Sequence, residues 1–310
     1  MHSFRKILVY GRPSVVQNRH ALAQLIHTAE ALDLELEWHP TLRGAVEEAG
    51  MQLPDPFPSG NRLHQGPGKP TREEPYTVSE SCGLVLALGG DGTLLDAVQI
   101  AVPRGLPVFG FHFGRLGFLS SAGGVEDFEV ALGAIRSGNL ILESRSLLHC
   151  IFESESGEPN EILALNEVGL QRQGAGLMGI SCRVNGELLN HYQADGLLVS
   201  TPTGSTAYSM SCGGPIVLPQ SQVWLVTPVA GHQLGIRPVL VPDRSEVVLE
   251  VDSNEEEGVL YADGKRLNWS GQGPVVLSRA GVELHLARLG GFSHFQNLKS
   301  KLHWGRDARS

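Results

Sequence analysis

The sequence predicts two domains: an N-terminal α/β domain, Rossmann-like with a parallel sheet, and a β-rich C-terminal domain of sandwich-like character. Two observations carry this prediction. Up to about residue 140, apolar runs that stop at glycines alternate with segments of helical spacing. From about Leu140, short β-type runs separated by turn residues take over and clear helices become scarce. A length of 310 residues, 41% of them hydrophobic, supplies a core for each domain. The expected boundaries are 1–143 for the α/β domain, 144–290 for the β-rich domain and 291–310 for a tail.

Ile7 to Tyr10 reads as a strand, followed by a turn at Gly11-Arg12-Pro13 and a helix carrying Val15, Leu22, Leu25, Ile26 and Ala29, with Ser14 as its candidate N-cap. Leu34 to Trp38 reads as a second strand. Leu53 to Pro75, broken by six prolines and three glycines, reads as a long mobile surface loop. Leu84 to Leu88 is a strand buried on both faces. Thr93 to Val102 is helix-like, Pro107 to Phe111 strand-like and Glu126 to Ile135 helix-like. Strands are then expected at Leu147 to Phe152, Ile162 to Leu170, Ile180 to Val184, Gly196 to Thr201, Trp224 to Val229, Glu246 to Val251, Gly258 to Ala262, Val275 to Ser278 and Val282 to Ala287. Asn185-Gly186 signals a hairpin.

Lys plus Arg is 24 against 33 for Asp plus Glu, a formal charge of −9, and no basic run breaks the acidic background. This disfavours a nucleic-acid or anionic-membrane surface. With neither a signal-like start nor eighteen apolar residues in a row, a cytoplasmic protein is expected. Four scattered cysteines show no Cys-x-x-Cys pair and read as reduced, mostly buried thiols. The twelve histidines form no ligand pair, so a structural metal is not expected.

Three segments carry chemistry. Leu88-Gly89-Gly90-Asp91-Gly92-Thr93 sits where a buried strand ends and a helix begins, a place where backbone N–H groups approach phosphate. A carboxylate there would be repelled by about 4 kcal/mol for unit charges roughly 4 Å apart at an effective dielectric of about 20. Asp91 therefore reads as a general base or a magnesium-linked group; the alternative is that Asp91 or Thr93 caps the helix. Thr201 to Gly214 concentrates Ser and Thr hydroxyls with Tyr208, suited to a ribose, an adenine or a phosphate, or else to a capped helical turn closed by Gly213. Asn166-Glu167 and Asp195-Gly196 are fit to hold vicinal hydroxyls or a carboxamide; each alone also reads as a surface or turn residue.

Other motifs fail. Gly174 to Gly179 matches Gly-x-Gly-x-x-Gly but opens no helix, and reads as a hairpin loop. No Gly-x-x-x-x-Gly-Lys-Ser/Thr occurs.

Together these segments resemble the NAD kinases. The resemblance runs through Gly89 to Thr93, Gly114-Arg115-Leu116-Gly117-Phe118-Leu119, Asn166-Glu167-Val168, Asp195-Gly196 and Thr201 to Pro215. It continues in Thr227-Pro228, His232, Arg237-Pro238 and Asp263-Gly264, and ends in Phe292 to Trp304. It implies a cleft between the domains that binds NAD, a tail packing back on the first domain, and homodimers or homotetramers. It also implies transfer of a phosphoryl group from ATP, or from inorganic polyphosphate, to the adenosine ribose 2′-hydroxyl, with magnesium or another divalent metal, to give NADP. By the same resemblance Asp91 accepts the hydroxyl proton beside Gly92, and Gly89 and Gly90 form the phosphate loop. Asp91 and Gly92 also bind the NAD, Asn166, Glu167, Gln193 and Asp195 hold the dinucleotide, and Thr206, Ala207, Tyr208, Ser209, Met210 and Ser211 line its pocket, with Ala230, His232 and Lys265 as further candidates. No direct protein ligand to the metal is assigned. The chain departs from the family pattern at His112, where Asn is usual, at Gln193, where relatives are often basic, and at Lys265, where Gln is common. A sugar or lipid kinase shares the glycine frame, and an idle dinucleotide-binding regulator is the reading outside catalysis; the first leaves 201–214 unexplained and Asp91 weighs against the second.

Overall fold

The computed structural model describes residues 4–50, 77–114, 117–174, 176–232, 235–252 and 258–303. The chain forms two compact units, residues 1–143 with 285–310 and residues 144–284. The expected loop at Leu53 to Pro75 lies outside the described residues.

The first unit runs β1 (Lys6–Gly11), a 3-10 turn (Pro13–Asn18), α1 (Arg19–Ala31), β2 (Glu35–Trp38), α2 (Pro40–Glu48), β3 (Leu84–Leu88), α3 (Asp91–Ala101), β4 (Val108–His112), β5 (Ala122–Gly123) and α4 (Phe128–Ser137). Its strands are parallel in the order β2-β1-β3-β4, and Leu286 lies parallel beside Val108 of β4. Helices covering both faces explain why β1 and β3 are buried throughout and, apart from Lys6, carry no charged residue. Leu22 and Leu25 of α1, Leu42 and Val46 of α2 and Leu132 and Ile135 of α4 join those strands in one core, where the Phe111 and Phe128 rings stack at 4.2 Å.

Two readings change here. Ser14 is not a helix cap: it lies in the 3-10 turn, and α1 starts after Asn18, which makes no side-chain cap bond. The sequence reading missed α2, whose cap is His39. Its Nδ1 accepts the Thr41 N–H at 3.3 Å, and burial lowers its pKa to about 4, so the ring stays neutral and keeps that lone pair. Pro40 takes the first helical position, where its missing N–H costs nothing.

The second unit holds most of β6 (Ile141–Glu153), then β7 (Pro159–Ala164), β8 (Glu167–Arg172), β9 (Met178–Val184), β10 (Glu187–Ala194), β11 (Gly196–Ser200), a 3-10 turn (Thr203–Thr206), α5 (Tyr208–Ser211), β12 (Val223–Val229), β13 (Val239–Pro242), β14 (Val247–Val251), β15 (Gly258–Ala262), β16 (Lys265–Arg266) and β17 (Val275–Arg288). β17 continues from His285 into the first unit, which also holds α6 (His294–Leu302). One antiparallel sheet has the order β13-β12-β11-β8-β15-β16. In the other, β10, β9, β14 and β17 pair antiparallel in that order, and β6 pairs with β7. A single apolar cluster draws Val168, Leu197 and Trp224 from the first sheet and Ile180, Cys182 and Leu249 from the second. The fold is thus an α/β unit and a β-rich unit, as the sequence predicts.

Asn185 and Gly186 take φ of 51° and 82° and close the β9–β10 hairpin. Gly174 to Gly179 is not a hairpin loop, because β8 and β9 belong to different sheets. Val275 to Ser278 and Val282 to Ala287 are one continuous strand, β17, and Ile162 to Leu170 is two, β7 and β8. Cys82, Cys150 and Cys182 are buried free thiols and Cys212 is half-buried. No described helix is long and apolar enough to cross a membrane.

Candidate active site

In open parallel sheets, ligands bind beyond the carboxyl ends of the strands, where the strand order reverses. In the first unit that point lies between β1 and β3, since β2 flanks β1 on one side and β3 leads on to β4 on the other. A cavity of about 230 Å³ opens there, lined by Ser14 and Asn18 after β1, Gly89 and Gly90 after β3, and His112 to Gly114 at the end of β4. Gly89 has φ +148°, and a Cβ on it would overlap Thr93 Oγ1, so only glycine makes the tight passage into α3. Gly90 is the N-cap and has no side chain to satisfy the first turn, which leaves the positive helix end suited to an anion.

Asp91 is the first residue of α3, yet its carboxylate does not cap that helix. The Phe118 N–H donates to Oδ2 at 2.8 Å and the Leu119 N–H to Oδ1 at 3.1 Å. A Cβ on Gly117 would overlap the same carboxylate, so glycine there is what lets the turn close on Asp91. One donor per oxygen leaves acceptor capacity on both for a further partner. Arg12 lies alongside, donating from Nη2 to the Gly92 carbonyl at 3.1 Å and from Nε to Asp96 at 2.9 Å.

In the second unit, the β run breaks at Leu165 and Asn166 because one carboxylate claims three successive amides. Asp263 accepts the N–H of Leu165 at 2.8 Å, of Asn166 at 2.7 Å and of Glu167 at 3.1 Å. Its left-handed φ of 48°, followed by Gly264 at 76°, also makes the β15–β16 turn. Burial pushes the Asp263 carboxyl up, opposed by those amides. Beside it Glu167 is buried, and its Oε2 has no hydrogen-bond partner among the described residues. Burial, reinforced by the Asp263 charge, pushes Glu167 up to about 8, so at neutral pH it is a protonated donor. The Tyr261 hydroxyl is likewise unpartnered, and its ring lies 6.5 Å from that of Tyr208.

The hydroxyl segment packs directly on this break, for a Cβ on Gly204 would overlap the Asn166 carbonyl. Its hydroxyls divide into two sets. Thr201 Oγ1 donates to the Leu165 carbonyl at 2.5 Å and accepts the Gly204 N–H at 3.1 Å. Ser205 Oγ donates to the Pro202 carbonyl at 2.7 Å and accepts the Val217 N–H at 3.0 Å, and Ser209 Oγ pairs with Thr227 Oγ1 at 3.0 Å. These three are buried and hold the segment together. Thr206, Ala207, Tyr208 and Met210 are partly exposed, Ser211 is exposed, and Gly213 closes the turn at φ 82°.

Two family profiles match the chain: the ATP-NAD kinase N-terminal domain over residues 45–139 and the ATP-NAD kinase C-terminal domain over 165–288. An NAD kinase of Gemmatimonas aurantiaca is 34% identical over 303 residues, which cover 97% of this chain and 96% of that one. The chain belongs to the NAD kinase family. An NAD kinase of Porphyromonas gingivalis is 38% identical over 235 residues, 75% of this chain and 80% of that one. Among solved structures, yeast NADH kinase complexed with NADH shares the fold at a TM-score of 0.80 and 22% identity, covering 99% of this chain and 90% of that one. An Archaeoglobus fulgidus NAD kinase in complex with ATP does so at 0.69 and 23%, covering 96% and 98%. As a member of this kinase family the chain is an enzyme, a phosphotransferase.

Within each unit the residues singled out from the sequence fall into distinct surroundings. Gly89, Gly90, Asp91 and Gly92 share the β3–α3 turn of the first unit. In the second, Asn166, Glu167 and the 201–214 segment pack together around Asp263. Asp195 accepts Arg172 Nε at 2.8 Å. Gln193 touches His191 through its amide at 3.2 Å, and its carbonyl accepts the His232 N–H at 3.0 Å. Ala230 holds a left-handed φ of 47°, rare for a residue with a Cβ. Lys265 is exposed in β16, and its charge favours the ionised form of Asp263. Sequence reasoning gave Asp263 no role, though an Asp-Gly pair between two short β runs was a turn signal. It also missed the Phe118 and Leu119 amides, because backbone donors leave no residue-type signature.

Proposed function

We propose that the protein transfers the γ-phosphoryl group of ATP to the adenosine ribose 2′-hydroxyl of NAD, giving NADP and ADP, with inorganic polyphosphate as the alternative donor. The observation that carries this reading is Asp91: an ionisable carboxylate at a glycine-framed helix N-terminus, held from behind by two amides and with acceptor capacity left over. In the proposed step the 2′-oxygen forms a bond to the γ-phosphorus, the bond from that phosphorus to the bridging oxygen breaks, and the hydroxyl proton passes to Asp91. Phosphoryl transfer asks the protein mainly for alignment and charge stabilisation, and a positioned base fits that need.

Gly89 and Gly90 would take the donor phosphates in the cavity at the β1–β3 reversal. Asn166, Glu167, Gln193, Asp195 and the exposed edge of Thr206 to Ser211 would hold the dinucleotide, with Ala230, His232 and Lys265 near them. The buried Glu167, protonated and with its Oε2 unpartnered among the described residues, suits a ribose or amide oxygen as its acceptor. Among the described residues no three His, Cys, Asp or Glu side chains converge into a metal cage. Magnesium would enter with the donor, on whose phosphate oxygens it would neutralise charge. The yeast structure holds NADH and the archaeal one ATP, in keeping with a dinucleotide and ATP as the two ligands proposed. A homodimer or homotetramer in the cytoplasm completes the reading.

The test is a coupled assay in which purified protein, NAD and MgATP or polyphosphate feed an NADP-specific dehydrogenase. NADP should form with at least one donor. Absence of NADP with both would reject the proposal.

A further inference from the structure

The turn that holds Asp91 is itself gripped from its other side. Arg288, at the end of β17, is 1% exposed and spreads its guanidinium over three successive carbonyls. Nη1 donates to the Leu119 carbonyl at 2.8 Å and the Ser120 carbonyl at 2.7 Å, and Nη2 donates to the Phe118 carbonyl at 3.3 Å. Nε donates to Glu143 at 3.3 Å, and the Phe292 ring lies 4.2 Å from the guanidinium carbon. Asn297 of α6 adds a second donor to the Phe118 carbonyl at 3.3 Å.

The peptide between Phe118 and Leu119 is common to both grips. Its carbonyl oxygen accepts from Arg288, and its N–H donates to Asp91 Oδ1 at 3.1 Å. One peptide unit therefore stands between a buried cation and the carboxylate at the start of α3. A donor on the carbonyl polarises a peptide and strengthens its N–H as a donor, so the guanidinium acts on Asp91 through that bond as well as by fixing the turn. Burying a guanidinium costs several kcal/mol unless its donors are met, and here carbonyls, Glu143 and a ring face meet them. Only a planar fork reaches consecutive carbonyls in this way; an ammonium supplies a compact point charge.

We infer that Arg288 is a positioning residue for the phosphoryl transfer, acting on Asp91 through the Phe118–Leu119 peptide, with Asn297 as its auxiliary. This rests on the reading of Asp91 as the base. Arg288→Lys, Asn297→Ala, Asp91→Asn and the Arg288→Lys/Asp91→Asn double variant of the full chain would be assayed with NAD and MgATP, with hydrogen exchange followed over residues 117–121. Arg288→Lys should lower kcat at least tenfold with KM for NAD changed less than threefold, and exchange should rise in that turn while the rest of the protein stays protected. In the Asp91→Asn background the same change should cost less than threefold, because the group it serves is gone. Asn297→Ala should lower kcat about threefold, and it decides the matter should Arg288→Lys not fold. A slow Asp91→Asn variant beside normal kcat in Arg288→Lys, or in Asn297→Ala where the lysine variant does not fold, would overturn the inference alone. So would equal losses from Arg288→Lys in both backgrounds. Full turnover by Asp91→Asn would instead remove the base assignment, and the inference with it.

Discussion

Replacing Glu167 by Gln tests whether the buried carboxyl of the second unit is held protonated. The side chain is 5% exposed, one oxygen has no partner among the described residues, and the Asp263 carboxylate beside it already holds three amides. Burial and that neighbouring charge raise Glu167 to about 8 from an ordinary 4.5. A carboxyl raised in the folded state binds its proton more tightly there than in the unfolded chain. Its contribution is complete below pH 4.5 and is lost as pH rises through 8. The slope is about 1.4 kcal/mol per pH unit, so stability should fall by up to about 4 kcal/mol between pH 5 and 8. Gln keeps the shape and a donor but does not titrate. The assay is urea denaturation of wild type and Glu167→Gln at half-unit intervals from pH 5 to 8.5, read by the buried Trp224 of the same unit. Groups such as His39 titrate alike in both proteins, so the prediction concerns the difference between the curves: the stability of wild type relative to the variant should fall steadily as pH rises from 5 to 8. Parallel curves would refute the protonated state and with it the donor role given to Glu167.

Two further outcomes follow from the first unit. Gly117→Ala places a methyl inside the Asp91 carboxylate and should cut kcat by roughly 10² or more while circular dichroism stays native, since misplacement by about 1 Å costs that much; unchanged kcat would show that the turn does not position Asp91. Lys6 is buried with Glu35 at 2.9 Å and Glu37 at 3.2 Å. Removing the cation by Lys6→Met strands the buried Glu37 charge and should cost about 3–5 kcal/mol in chemical denaturation, whereas a loss under about 1 kcal/mol would mean that the charge finds other relief.

How far the sequence could be read depended on how local the deciding interaction is. Leu84 to Leu88 ends at Gly89 and Gly90, and that short stretch alone announces a buried strand turning into a helix. Asn185-Gly186 announces its hairpin in the same way. The Ile162 to Leu170 run is uniformly β-like, and what divides it is Asp263, nearly a hundred residues away, whose carboxylate takes the amides at the break. Arg279-Ala280-Gly281 looked like an interruption, but β17 carries straight through it. The hydroxyl segment was visible as a composition, while its division into internal struts and exposed groups depends on Val217 and Thr227, which only the fold brings near. Asp91 was legible as an anomaly of charge. Its holders were not, because they are amides of residues 118 and 119 backed by a guanidinium 169 positions further on.

The central claim is that the Asp91 carboxylate takes the proton of the attacking hydroxyl, and single-turnover measurement of NADP formation by Asp91→Asn with saturating NAD and MgATP tests it most directly. The asparagine keeps the size of the side chain and an oxygen for one backbone donor but has no basic group, so the chemical step should slow by roughly 10² to 10⁴ while NAD binding by calorimetry is retained. A variant that binds NAD and transfers phosphate at the wild-type rate would contradict the account.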